Sequence, residues 1–209
     1  MPYLPEAFDR AAESNASSLA LIEESNGWTF AQLADESNRI ATVIKEQVKG
    51  DTVGVLLLNS QKYIATMLGI WKAGKTAVPL NYHLPDAELA FIIKDSGMSG
   101  LVSSQAFNQP LAAIKPLFGD KGLILMADDP AFLAPAANSV QFRYRDPALY
   151  LYTSAQQENP KEWFSRTIIC SRMWSHVRRR ETLIIVTLSS AYCRSFTPTR
   201  SPARFFCRS

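Results

Sequence analysis

Among the residues of this chain, those best suited to chemistry lie together in Leu149-Tyr150-Leu151-Tyr152-Thr153-Ser154-Ala155-Gln156-Gln157-Glu158-Asn159-Pro160-Lys161-Glu162. The segment begins as a short apolar run of the kind that makes a buried strand. It passes into the hydroxyls of Thr153 and Ser154 and reaches the ammonium of Lys161. A strand running into a hydroxyl-bearing loop with a lysine suits nucleotide phosphates, because backbone N–H groups and hydroxyls surround the oxygens and the lysine adds charge. Such a loop normally needs glycine, since the backbone must pass through positive φ and approach the phosphate closely. Ala155 to Glu162 contains no glycine. Thr153, Ser154 and Lys161 are therefore candidate nucleotide-binding residues in a loop whose remaining residues work against that role. No residue type or spacing marks a catalytic acid, base or nucleophile, or a metal site.

A strand ending at Tyr152 must be positioned by what precedes it, and the preceding segments alternate between helical and strand-like patterns. Pro5 to Asn15 reads as a short helix, Leu19 to Glu24 as a strand and Asn26-Gly27 as a turn. Thr29 opens a long helix, with Gln32 completing a capping box. Phe30, Leu33, Ala34, Ile40, Ala41, Ile44 and Val48 recur at helical spacing, and Gly50 reads as the stop. Thr52 to Leu58 is a continuous apolar run, as in a strand buried on both faces. Asn59-Ser60 starts the next helix, with Tyr63, Ile64, Met67, Leu68 and Trp71 inward and Gly74 at its end. Thr76 to Leu80 reads as a buried strand. Pro85 and Asp86 open a helix through Leu89, Ile92 and Ile93 that Gly97 closes. Leu101 to Ser103 and Leu123 to Met126 read as strands flanking a helix from Phe107 to Leu117, and Asp128 to Asn138 as a linker. Right-handed crossovers then give an α/β fold, a mostly parallel sheet with helices on both faces. Ligands of such sheets bind beyond the carboxyl ends of the strands, where the Thr153–Lys161 loop falls.

The same residues carry a family resemblance. The loop resembles the phosphate loop of the adenylate-forming enzymes, the acyl-CoA synthetase superfamily, whose pattern is Tyr-Thr-Ser-Gly-Thr-Thr-Gly-x-Pro-Lys-Gly. Tyr152, Thr153, Ser154, Asn159, Pro160 and Lys161 fit it, whereas Ala155, Gln156, Gln157, Glu158 and Glu162 do not. Upstream, Trp28 to Leu33, Gly54 to Ser60, Gly69 to Gly74, Val78 to Asn81 and Glu88 to Ser96 resemble successive blocks of the family in the right order. The resemblance covers about residues 5 to 165, roughly the first third of a typical member. It implies an ATP-dependent carboxylic acid–CoA ligase, with a fatty acid the expected substrate. The carboxylate attacks the α-phosphate of ATP to give an acyl-adenylate, Mg²⁺ assists at the phosphates, and the CoA thiol displaces AMP. It also implies that Thr153, Ser154 and Lys161 are the phosphate-binding residues. The chain as written is expected to be inactive and to bind neither ATP with Mg²⁺ nor CoA, because the loop departs from the pattern and the other ligand contacts of the family lie further along.

Composition divides the chain near residue 155. Up to Tyr150 there are 12 Lys and Arg against 16 Asp and Glu; from Leu151 onward there are 10 against 3. All nine glycines precede residue 151, and all three cysteines, Cys170, Cys193 and Cys207, follow it. The expected organisation is an N-terminal α/β part at 1–145, a strand and degenerate phosphate loop at 146–165, and a disordered or irregular basic tail at 166–209.

The mismatches have a concrete genetic reading. One choice of codons for Gly-Thr-Thr-Gly-Asn, GGC ACA ACA GGA AAT, becomes GCA CAA CAG GAA AT on loss of one G. That encodes Ala-Gln-Gln-Glu, as at Ala155 to Glu158. One added A restores Asn159-Pro160-Lys161. Loss of a second G turns the family's Gly-Val-Val-Leu-Thr-His continuation into Glu-Trp-Phe-Ser-Arg-Thr, as at Glu162 to Thr167. Out-of-frame coding also accounts for the arginines of the tail. Read instead as a nucleic-acid patch, Arg178-Arg179-Arg180 beside Trp174 would make the chain a basic binder. A non-catalytic α/β fragment is the other alternative.

No Gly-x-Gly-x-x-Gly fingerprint supports a dinucleotide oxidoreductase, and the cysteine spacings fit no zinc or disulfide pattern. His83 reads as a loop histidine. The longest apolar stretch, Leu183 to Leu188, is far short of the about 20 residues that span a bilayer. With no signal-like start, a cytoplasmic location is expected.

Overall fold

The computed structural model describes residues 4–23, 25–129, 149–152 and 168–169. The chain runs α1 (Leu4–Ser14), β1 (Leu19–Glu23), β2 (Asn26–Thr29), α2 (Phe30–Gln47), β3 (Thr52–Leu56), α3 (Gln61–Lys72), β4 (Thr76–Pro79), α4 (Asp86–Ser96), β5 (Gly100–Ser103), α5 (Asn108–Ile114), β6 (Leu123–Met126), β7 (Tyr150–Leu151) and β8 (Ile168–Ile169). Strands β3 to β6 form a parallel sheet in the order β4-β3-β5-β6.

Alternation along the strands builds two cores. Val53 and Val55 of β3, Ala77 of β4, Val102 of β5 and Leu125 of β6 face one side, where α2 and α3 cover them with Ile40, Ile44, Ala65, Leu68 and Ile70. Leu56, Val78 and Leu101 face the other side, beneath Leu89, Ile92 and Ile93 of α4 and Leu111 and Ile114 of α5. All five β3 residues are buried, as a central strand covered on both faces requires. The expected α/β class with helices on both faces is what the structure shows.

Local signals set most boundaries. Thr29 Oγ1 accepts from the Gln32 backbone N–H at 3.2 Å, and the Thr29 N–H donates to Gln32 Oε1 at 2.8 Å, so the capping box is complete. Ser60 Oγ accepts from the Tyr63 N–H and caps α3. Gly74 and Gly97 take positive φ, at 73° and 60°, where α3 and α4 end.

Three expectations need correction. Asn26-Gly27 is not the turn: both residues lie in β2, opposite Glu23 and Ile22, so the chain reverses between Glu23 and Asn26. Tertiary contacts fix that register, because the Gln61 N–H donates to the Glu23 carboxylate and Gln61 Nε2 to the Asn26 carbonyl. Gly50 does not stop α2. The helix ends at Val48 in an extended conformation, and Gly50 makes room instead, since a Cβ there would collide with the Ser99 side chain. The helix expected from Phe107 to Leu117 is three pieces: a 3-10 turn at Gln105–Phe107, α5, and a 3-10 segment at Lys115–Lys121. Pro116 lacks the N–H an α-helix needs there, so the α-helical bonding stops although Lys115 keeps helical backbone. Trp71 packs half-buried against the core, as Tyr63 and Ile64 do, and its neighbour Lys72 is fully enclosed.

Of the expected linker at 128–138, only Asp128 and Asp129 are among the described residues. Of the expected tail at 166–209, only Ile168 and Ile169 are, and they pair antiparallel with Leu151 and Tyr150.

Candidate functional site

The winding of the sheet points to its carboxyl edge. The connection from β3 through α3 to β4 packs on one face, and those through α4 and α5 pack on the other. The chain therefore leaves the neighbouring strands β3 and β5 toward opposite faces. This is the switch point at which open α/β sheets form a crevice beyond their strand ends. A parallel bridge between Ala77 and Leu149 brings β7 alongside β4, on the far side from β3. Strand β7 thus runs in the direction of the sheet, and the segment after Tyr152 starts at the carboxyl edge.

Tyr150 and Tyr152 both pack against the core beneath α4 and α5, and the Tyr152 hydroxyl donates to Asp95 Oδ2 of α4 at 2.7 Å. A phenol pinned at both ring and hydroxyl fixes the strand immediately before the loop. The candidate residues Thr153, Ser154 and Lys161 lie outside the described residues. The structure gives the anchor of the candidate loop, not the placement of those three side chains.

Around the carboxyl ends of the other strands, polar groups hold the backbone. Ser103 Oγ donates to the Leu56 carbonyl at 3.0 Å, tying β5 to β3. The Gln105 N–H donates to Asp128 Oδ2 at 2.8 Å, and the His83 N–H to Asn81 Oδ1 at 3.0 Å. His83 is exposed in the loop after β4, as expected, with its ring 4.1 Å from that of Tyr82; Tyr82 in turn lies 5.3 Å from Phe107. Among the described residues no group of three or more His, Cys, Asp or Glu side chains is arranged to hold a metal ion. Among the same residues, no helix is long and apolar enough to cross a membrane.

The perturbed ionisable groups lie elsewhere. Burial raises the Tyr63 phenol above its ordinary value. Burial pulls the Lys72 ammonium below its ordinary value, against the opposing effects of Asp9 and, more weakly, Asp35. Lys72 is fully enclosed. Its Nζ lies 2.7 Å from Asp9 Oδ1 and 2.9 Å from Asn38 Oδ1, and 5.3 Å from the centroid of the Phe8 ring. Sequence reading took Lys72 only as part of a motif. The signal was present, because positions 65, 68, 69 and 72 share one helical stripe and the first three carry Ala, Leu and Gly.

Comparison with known proteins assigns a family to this architecture. Residues 8–161 match the model of the AMP-binding enzymes. Bacitracin synthase 3 of Bacillus licheniformis is 32% identical over 164 residues, covering 75% of this chain but 2% of that protein. A fatty acyl CoA synthetase structure from Mycobacterium tuberculosis superposes with a TM-score of 0.64 at 27% identity, covering 72% of this chain and 32% of that one. The o-succinylbenzoate CoA synthetase from Bacillus subtilis, solved in complex with its acyl-adenylate intermediate, superposes with a TM-score of 0.61 at 25% identity, covering 71% and 38%. The chain thus spans a small fraction of the curated relative and about a third of the solved enzymes.

Proposed function

Because the chain belongs to the AMP-binding enzyme family, we propose that it derives from an ATP-dependent carboxylic acid–CoA ligase and that its phosphate loop has lost nucleotide binding through shifts of reading frame. The observation that carries this reading is where the family match stops. It ends on Lys161, the last residue that fits the phosphate-loop pattern and the residue before the second proposed loss of a G. Up to that point the sheet, its two helical layers and the anchored strand β7 are those of an adenylate-forming enzyme. Likeness to a fatty acyl CoA synthetase structure supports a fatty acid as the carboxylate.

In the frame-restored parent, the carboxylate oxygen attacks the α-phosphorus of ATP, pyrophosphate leaves, and an acyl-adenylate forms. The CoA sulfur then attacks the acyl carbon and AMP leaves. Main-chain N–H groups, the hydroxyls of Thr153 and Ser154 and the Lys161 ammonium would stabilise charge on the phosphates. Mg²⁺ would neutralise charge on the phosphates, held by their oxygens, by water and by one or two carboxylates.

The loop as written does not suit the nucleotide. Ala155, Glu158 and Glu162 stand where the family has glycine, and each side chain restricts positive φ and fills space beside the phosphate. Glu158 and Glu162 also add negative charge. At about 4 Å and an effective dielectric of about 20, one such repulsion is on the order of 4 kcal/mol, and Lys161 offsets one of the two.

Resequencing the gene across codons 150–170 tests the frame. An uninterrupted frame on both strands refutes the shifts. Pyrophosphate release by the frame-restored, full-length enzyme with a panel of carboxylates tests the activity, and no turnover with any of them refutes the ligase. Calorimetry should show no binding of millimolar ATP to the chain as written. Restoring Ala155→Gly, Gln156→Thr, Gln157→Thr, Glu158→Gly and Glu162→Gly should improve binding only weakly. Tight binding by the unmodified chain would overturn the reading of the loop.

A further inference from the structure

Helix α1 is held to the rest of the protein in an unusual way. Only Pro5 and Ala12 among its eleven residues are buried, whereas α2 buries six. Its root is firm. Just beyond α1, the Ala31 N–H donates to the Ala16 carbonyl and the Phe30 N–H to the Ser18 carbonyl, both at 3.0 Å. Along the helix, Pro5 is buried, Phe8 packs at the edge of the core and stacks on Phe30 with ring centroids 6.1 Å apart, and Asp9 reaches Lys72. Helix α1 presents Asp9 and the Phe8 ring to the Lys72 ammonium; α2 presents Asn38 and, further off, Asp35. Within α1, Arg10 pairs with Glu6 at 2.7 Å, and both the Asn15 N–H and Asn15 Nδ2 donate to the Ala11 carbonyl. These local contacts survive if α1 moves as a body.

We propose that α1 is a latched strap: it lifts from α2 and α3 as a unit about Ser14–Asn15, with the Asp9–Lys72 pair as its latch, while the sheet and the other helices stay folded. A segment with so little buried apolar surface belongs to the low-stability end of local opening. An enclosed ammonium gains water when the carboxylate beside it leaves, which lowers the cost of the open state. Lifting turns Lys72 from an enclosed amine into one exposed to solvent and open to acylating reagents, so the strap controls access to it.

The test uses the full chain. Lys72 acylation by N-hydroxysuccinimidyl acetate is followed by peptide mass spectrometry across low urea, alongside amide hydrogen exchange of residues 4–14 and of β3. Sub-global opening predicts Lys72 labelling at least about tenfold faster than β3 amides open, with a weaker urea dependence, and α1 amides exchanging in step with the labelling. Asp9→Asn should accelerate both the Lys72 labelling and the α1 exchange, and should lower β3 protection by no more than that same factor. Labelling that shares the rate and urea dependence of β3 exchange overturns the proposal, since Lys72 then becomes accessible only on global unfolding. Rapid α1 exchange with Lys72 still protected overturns it as well, because the helix then frays in place. If Asp9→Asn fails to fold, the urea dependence in the unmodified chain decides alone.

Discussion

Substituting Gly69 by alanine should destabilise the fold, although it puts a better helix former in the middle of α3. Two effects oppose each other. In a helix interior, alanine is favoured over glycine by about 0.8–1 kcal/mol. Against this, a Cβ at position 69 would lie 2.6 Å from Ile40 Cγ2, 2.8 Å from Ile40 Cβ and 3.1 Å from the Ser37 carbonyl oxygen of α2. Ordinary carbon–carbon contact is about 3.5–4 Å, so the helices would have to separate by roughly 1 Å. Ile40 is fully buried and stiff at its branched Cβ, so it cannot swing away. Overpacking of this kind costs about 1–3 kcal/mol, which leaves a net loss of up to about 2 kcal/mol after the propensity gain. A double-mutant cycle isolates the contact. Ile40→Ala alone should cost about 2–5 kcal/mol through the cavity it leaves. In that background the shorter contact is gone, though the Cβ remains, and the penalty of Gly69→Ala should shrink by about 1 kcal/mol, within the range of coupling between touching residues. Urea unfolding followed by circular dichroism supplies the four free energies. Stabilisation by Gly69→Ala in the unmodified background, or additivity within about 0.5 kcal/mol, would refute the reasoning.

Two further substitutions probe single contacts. Asp9→Ala leaves a fully enclosed ammonium without its carboxylate and should cost about 3–5 kcal/mol, whereas Lys72→Met leaves a carboxylate that is 25% exposed and partly hydrated, and should cost less. The Lys72 pKa in the folded state lies below its unfolded value, so the unfolded chain binds more protons and stability rises with pH toward about 10.4 through this group; the slope should be steeper in Asp9→Ala and absent in Lys72→Met, as urea midpoints between pH 7 and 10 would show. Thr29→Ala removes the acceptor of the Gln32 N–H and should cost about 1 kcal/mol, while Thr29→Ser should cost little; equal midpoint losses for the two would mean that the hydroxyl is not the cap.

What the sequence reveals about this fold is what neighbouring residues decide. Thr29 with Gln32, Ser60, Gly74 and Gly97 mark ends of α2, α3 and α4 because capping and left-handed backbone are settled within a few residues. The runs Thr52–Leu58 and Thr76–Leu80 read as doubly buried strands because no polar alternation interrupts them. Errors arise where a distant partner decides. Asn26-Gly27 has the composition of a hairpin turn, but Gln61 draws Glu23 and Asn26 into another register. Gly50 has the composition of a helix stop, but Ser99 is what requires its missing side chain. Lys72 shows the limit most plainly. Helical spacing places position 72 on the buried stripe of α3, yet a charge is tolerable there only because Asp9 and Asn38 arrive from two other helices. Periodicity supplies the position, and topology supplies the partner. The candidate site divides along the same line: residue types mark Thr153, Ser154 and Lys161 as candidate phosphate ligands, and the family resemblance marks Ala155, Glu158 and Glu162 as departures from its glycines. The Ala77–Leu149 bridge that runs β7 beside β4, and the reach of Tyr152 to Asp95 on α4, are long-range pairings that no residue type announces.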